Sequence, residues 1–317
     1  MTRRTRCAVC EGNNSLFFRS IDGYDYFECT DCGSLHAGPE LLVLMDEGRS
    51  PIGKYEHLYW EQERQAALER AAGLSLCRAG EAILYARRSV QRFLDVGAGP
   101  GFLLERLQEM LDPNASIFHA VEKFPPPYAV DNPSYHRDGI PPSLPSFDAG
   151  VCIEVVEHLT PRMLRGLLSD LANVSEQGSF WLFNTGMPDY VKNEDPGYLD
   201  PVGRGHIVSY SLRGLRPIFA ESGFIVGELP GKSFAFYAEY GAAHELSFDE
   251  RIYQPLAENV ALLKRNELLY QAVFESARSY LYYDGYMKRT MWAKALDAEL
   301  NRFRTSPLGS WFTKFRR

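Results

Sequence analysis

The run Phe93-Leu-Asp-Val-Gly-Ala-Gly-Pro-Gly-Phe102 constrains this chain more than any other segment. Its first four residues read as a short buried strand, and the residues after the glycines open an apolar-periodic helix. Gly97, Gly99 and Gly101 alternate, and such a turn lets the backbone come close to a ligand. A dinucleotide turn of the G-x-G-x-x-G type needs its third glycine at 102, where Phe102 stands. Pro100 also removes one N–H from the cradle a pyrophosphate would use. The turn therefore suits a ligand that needs close backbone approach and carries no phosphates.

The surrounding chain has 317 residues, 45% of them hydrophobic, enough for one large core and a smaller module or two. A net charge of −7 argues against a dedicated nucleic-acid binder, although a local basic patch stays open. Met1-Thr-Arg-Arg-Thr-Arg6 leads straight into a cysteine pair with no apolar secretory stretch, and Leu41-Leu-Val-Leu-Met45 is too short to span a bilayer. The expectation is a cytoplasmic protein with no transmembrane segment.

Four of the six cysteines form two C-x2-C pairs, Cys7/Cys10 and Cys29/Cys32, with 18 residues between them. This is the two-knuckle spacing of structural zinc sites, and Gly33 permits the positive-φ backbone a knuckle often uses. Leu16–Arg19 and Tyr24–Cys29 read as strands joined at Ile21-Asp-Gly23, which predicts a zinc ribbon over residues 1–45. Four thiolates close a site, so the zinc is expected to be structural. A reduced dithiol pair or a disulfide is the competing reading. Cys77 and Cys152 are read as small core hydrophobes.

Residues 46–54 read as a polar linker, and 55–92 as helical with interruptions around Gly73 and Gly80. Tyr55-Glu-His-Leu-Tyr-Trp60 is aromatic, suited to lid a ligand or to pack on the sheet. From Phe93 strand and helix alternate: strands at 93–96, 116–121, 147–153 and 179–183, helices at 102–110, 161–175 and 211–222, then a strand pair at 224–229 and 233–240. The expected fold class is α/β, a Rossmann-like doubly wound sheet with an antiparallel terminal pair, an N-terminal zinc ribbon and a C-terminal helical extension. The corresponding domains are 1–45, 55–245 and 246–317. In the last of these, Ile252, Leu256, Val260, Leu263, Leu269 and Val273 recur at helical spacing. They predict two or three long helices with a break at Asp284-Gly285, placed to cover the cleft, to pack, or to form a homodimer. The end, Trp311–Arg317, mixes aromatics with cations and suits a membrane surface, an acidic partner or a frayed tail.

Asp95-Val-Gly-Ala-Gly-Pro-Gly101 resembles motif I of the class I methyltransferases that use S-adenosylmethionine (SAM). The resemblance covers roughly residues 90–240, and the upstream cysteines are similar to the ribbon of some sugar and natural-product methyltransferases. It implies SAM as cofactor, contacted by Asp95, Gly97, Gly99, Gly101 and Phe102. It also implies that Glu122, ending the second strand, accepts the ribose hydroxyls, that Asp138 meets the adenine amine, and that Glu154 stands at the ligand edge of the sheet. Read as residues alone, Glu122 could equally be a solvated strand end and Asp138 a turn residue. Gly205-His-Ile-Val-Ser-Tyr-Ser211 resembles the element that opens a late helix in many such enzymes.

Methyl transfer to a hydroxyl needs a group to take its proton, and Glu157, His158 and His206 are the candidates. If 154–158 form a helix, Glu154, Glu157 and His158 share a face and, with His206, could hold a catalytic metal. That set resembles the Mg/Mn site of small-RNA terminal 2′-O-methyltransferases. A purely structural role for Glu157-His158 also stays open. The leading reading is O-methylation of a sugar, glycan or related polar metabolite. The alternatives are a metal-dependent RNA 2′-O-methyltransferase and a non-catalytic zinc-ribbon scaffold.

Overall fold

The computed structural model describes residues 4–49, 57–241 and 248–306, with residues 57–63 as backbone alone. Part of the expected linker, Tyr55, the side chains of 57–60 and the tail from Trp311 lie outside the described residues.

The chain opens with β1 (Arg4–Thr5), β2 (Ser15–Ile21), β3 (Tyr24–Cys29), β4 (Leu35–Ala37) and α1 (Pro39–Asp46). Asp22 and Gly23 both take positive φ, 51° and 84°, the two-residue hairpin turn whose twist matches that of the flanking strands. The helices α2 (His57–Ala72) and α3 (Leu74–Tyr85) follow, broken at Gly73. Gly80 does not interrupt: it lies inside α3, where an added Cβ would stand 2.4 Å from Val273 Cγ2. That glycine makes room for a helix packed against it.

Then come β5 (Phe93–Val96), α4 (Phe102–Leu111), β6 (Phe118–Glu122), β7 (Tyr135–Arg137) and β8 (Phe147–Ile153). A 3₁₀ turn at Val156–His158 leads to α5 (Pro161–Asn173), β9 (Ser175–Asn184), α6 (Pro188–Asn193), β10 (Val208–Ser209), α7 (Leu212–Ala220), β11 (Phe224–Glu228) and β12 (Ala235–Tyr240). The larger sheet has the order β11-β12-β9-β8-β5-β6-β7. β9, β8, β5, β6 and β7 run parallel, β12 runs antiparallel to β9, and β11 runs antiparallel to β12. β8 is buried along Phe147–Cys152, as a central parallel strand covered on both faces should be. The strand order reverses between β5 and β8, and a crevice opens there at their carboxyl ends.

Two elements were hidden from periodicity. β7 sits inside a proline-rich passage, and β10 is a two-residue strand that pairs with β4, Val208 opposite His36. β10 thus makes the small N-terminal sheet five-stranded, β1-β2-β3-β4-β10.

The chain ends in α8 (Phe248–Tyr253), α9 (Ala257–Leu263) and α10 (Glu267–Thr305). The expected break at Asp284-Gly285 does not occur: α10 runs 39 residues through it. A single glycine costs a helix only about 1 kcal/mol relative to alanine, too little to stop it. Leu269, Val273 and Ala277 bury its first turns against α3, and every residue from Met291 to Thr305 is exposed. No described helix is long and apolar enough to cross a membrane.

Candidate functional site

The turn after β5 is made of backbone. Gly97, Gly99 and Gly101 all have positive φ, at 75°, 54° and 84°. A Cβ on Gly97 would stand 2.3 Å from Val155 Cγ2, so close packing as well as conformation requires glycine there. Gly101 is the left-handed cap of α4, and Tyr135 braces the turn by donating its hydroxyl to the Gly99 carbonyl at 2.6 Å. Glu122 closes the loop from β6. Its two oxygens accept the N–H groups of Gly99 and Phe124, each at 2.8 Å, which fixes the carboxylate with lone pairs to spare.

Two connected cavities meet over this turn. One, of about 450 Å³, is lined by Glu122, Asp138, Val155, Leu159 and Met163. The other, of about 380 Å³, is lined by Arg70, Ser75, Asp95, Gly99, Phe102, Arg204 and His206. Gly97, Glu154 and His158 border both. Every cofactor residue expected from the sequence except Gly101 lines one arm of this cleft, and Gly101 shapes it from behind. Arg70, Ser75, Val155, Met163 and Arg204 were missed, because no local pattern marks them. Burial, with Glu122 nearby, pushes the Asp95 carboxyl up to about 7.

The polar end of the cleft is made of side chains. The expected 154–158 helix is only the turn 156–158, because Thr160 caps α5 and Pro161 begins it directly afterwards. Glu154 sits outside that turn at φ 55°. Its side chain accepts from Asn184 Nδ2 at 2.9 Å, and Asn184 in turn accepts from buried Arg78 at 3.2 Å. Asn184 thus anchors Glu154 beside Glu157, outside the tighter group formed by Glu157, His158 and His206. One ligand atom from each of those three lies within 4.8 Å of the others.

Glu157 is fully buried, and neither of its oxygens has a hydrogen-bond partner of good geometry. Burial raises its pKa, while the nearby Thr185 and Tyr198 hydroxyls partly favour the charged form. His206 Nε2 lies 3.8 Å from Glu157 Oε1. His206 Nδ1 donates to the Tyr198 carbonyl at 2.7 Å, and His158 Nδ1 to the Gly205 carbonyl at 3.2 Å. A carbonyl only accepts, so both rings carry a proton on Nδ1, and in neutral His206 the lone pair is on Nε2. Burial and the His158 ring keep His206 well below the ordinary histidine range, and burial next to Glu157 raises Glu154. The result is a buried cluster rich in lone pairs, able to take a proton or to hold a cation.

The four ribbon cysteines also converge. Cys7 and Cys32 Sγ atoms are 3.8 Å apart, and those of Cys10 and Cys29 are 3.6 Å apart. Sulfurs bound at about 2.3 Å around a tetrahedral ion stand about 3.8 Å apart; these two pairs match that spacing, and all four sulfurs lie within 4.8 Å of one another. All four are free thiols, as Cys77 and Cys152 are; Cys152 is buried in the core and Cys77 is half-buried.

A parallel sheet ordered around β5, an antiparallel β12 inserted beside β9, and a glycine turn at the switch point occur together here. The fold is thus the expected α/β doubly wound sheet with an antiparallel terminal pair. Among solved structures, the chain is similar to an O-methyltransferase from neocarzinostatin biosynthesis in complex with SAM and a naphthoic acid: identity is 18%, TM-score 0.42, and 62% of this chain and 66% of that one are covered. It is similar to human N-acetylserotonin methyltransferase in complex with SAM, at 15% identity and TM-score 0.39, over 63% of this chain and 66% of that one. It is also similar to a methyltransferase of calicheamicin biosynthesis in its S-adenosylhomocysteine-bound form, at 15% identity and TM-score 0.44, over 65% of each chain. The match spans just under two thirds of the length of these chains. No family model and no curated protein matches the chain.

Proposed function

We propose that this chain is a SAM-dependent methyltransferase that methylates an oxygen of a sugar, glycan or related polar metabolite. The observation that carries the proposal is the two-armed cleft, with a phosphate-free backbone cradle on one side and a proton-accepting cluster on the other. When bound, SAM supplies a methyl carbon whose bond to sulfur breaks as an acceptor oxygen bonds to it, the electron pair staying on sulfur. Glu122 has lone pairs left for ribose hydroxyls, and Asp138 lines the same arm. Ionised Asp95 offsets positive charge in the other arm. His158, half-buried and bordering both arms with its Nδ1 committed to the Gly205 carbonyl, is the group that takes the hydroxyl proton. His206 and Glu157 back it. A hydroxyl needs this help because its own pKa lies far above neutrality, which favours oxygen as the acceptor. The ribbon cysteines Cys7, Cys10, Cys29 and Cys32 hold a structural zinc in this reading, supported by their sulfur spacing.

The orphaned oxygens of Glu157 favour a second reading of the same cluster. Glu157, His158 and His206 are a set suited to a divalent ion, as a metal-dependent RNA 2′-O-methyltransferase would require. One experiment separates the two: transfer of labelled methyl from SAM into fractionated host extract, with and without EDTA. Label in a saccharide or small-metabolite fraction, insensitive to EDTA, supports the first reading. Label in nuclease-sensitive material that EDTA abolishes and Mn²⁺ restores supports the second. No transfer to any fraction sinks both.

A further inference from the structure

We infer that Tyr26, in the cysteine ribbon, is a positioning residue for His206, so that the ribbon forms a working wall of the catalytic site. The inference rests on the methyltransferase reading for its effect on turnover. His206 lies in the irregular stretch between α6 and β10, where no helix or long strand holds the backbone. Its N–H donates to the Asp200 carbonyl at 3.0 Å. Its carbonyl accepts the Tyr26 hydroxyl at 2.8 Å, across 180 residues of sequence. The next residue repeats the pattern: the Ile207 carbonyl accepts the Ala37 N–H at 2.9 Å, and the Ile207 N–H donates to the Glu157 carbonyl at 2.9 Å. The two carbonyls of the His206-Ile207 segment are therefore held by the ribbon, while the Ile207 N–H ties it to the residue that faces the His206 ring.

The chain stays on the ribbon after that. Val208 and Ser209 pair with His36 and Leu35 as the fifth strand of the ribbon sheet. The Ser211 hydroxyl donates to the Cys32 carbonyl at 2.5 Å, and the Ser211 N–H donates to Ser34 Oγ at 3.0 Å, so the second cysteine knuckle also anchors the start of α7. Tyr26 is fully buried at the centre of β3, with no solvent to replace its hydroxyl if that is removed. A buried carbonyl left without its donor relaxes toward another partner, and here the relaxation moves the peptide that carries His206.

The test is Tyr26→Phe in the full, zinc-loaded chain. Expected are a fall in kcat of about tenfold, a SAM Kd within a factor of two of wild type, an unchanged zinc content, and faster hydrogen exchange confined to the amides of 203–209. Asn14→Ala removes a ribbon hydrogen bond to Asp31 far from His206, and its turnover should match wild type. Unchanged kcat and exchange in Tyr26→Phe would overturn the inference. So would an equal loss in Asn14→Ala or a lost SAM site, since either makes Tyr26 a general fold residue. If the wild-type chain binds no SAM, the methyltransferase reading falls, and exchange at 203–209 still decides whether Tyr26 holds that segment.

Discussion

The glycine turn and the polar cluster that meet in the cleft are built in opposite ways. The turn at Gly97–Gly101 is local: one strand, one turn and one helix start, consecutive in the chain, with Glu122 and Tyr135 clamping it. The polar end is assembled from distant pieces. Glu157 and His158 come from a single turn after β8, His206 from a loop tied to the ribbon, and Asn184, itself bonded by Arg78, anchors Glu154 beside Glu157. A backbone-made site tolerates little change at its glycines and much change elsewhere. A side-chain-made site depends on every segment that aims a residue into it.

Substitutions can break this contrast from either side. The largest effect should come from Gly97→Ala, where positive φ and the Val155 methyl both oppose a Cβ. SAM affinity, measured by calorimetry, should fall by about 100-fold or more. Glu157→Gln should act on the polar cluster alone, lowering kcat by about 100-fold while leaving the SAM Kd within a factor of two. Equal losses of both in either variant would show that the turn and the cluster are not separable.

A smaller effect is pH-dependent. Burial raises Asp95 to about 7 in the folded protein, so its protonated form is the favoured one in the absence of a cation. Its contribution to stability is full below the ordinary carboxylate range and is lost as pH rises toward 7. A cationic ligand needs the ionised form, so SAM affinity should increase by about threefold to tenfold between pH 6 and 8, and Asp95→Asn should flatten that rise. The smallest effect should come from deleting residues 291–317. The described part of this segment is exposed and remote from the cleft-lining residues, so turnover and melting should change by less than about twofold and about 2 °C respectively.

The contrast also explains what could be read in advance. The glycine turn, Glu122 at a strand end and the paired cysteines are each short-range patterns with one physical use, so residue spacing revealed them. The condition of a helix over 154–158 is met only by the turn at 156–158, because Pro161 claims the start of α5, and a five-residue window does not weigh that competition. The break expected at Gly285 failed because local propensity was weaker than the continuity of a long helix anchored at Leu269 and Val273. The strand β10 carries only two residues and acquires its structure from β4, so it leaves no periodic trace.

By itself the sequence determined an α/β chain with a ligand turn at Gly97–Gly101, a four-cysteine ribbon, and the residue types available for proton transfer. Those properties follow from contiguous residues, whose turn geometry and spacing are fixed by the backbone. Only the tertiary structure decided that Glu157 meets His158 and His206, that Asn184 anchors Glu154, and that the ribbon reaches across to hold the His206 carbonyl. Contacts across 180 residues depend on how the two sheets pack, and packing is set by the whole core rather than by any one segment.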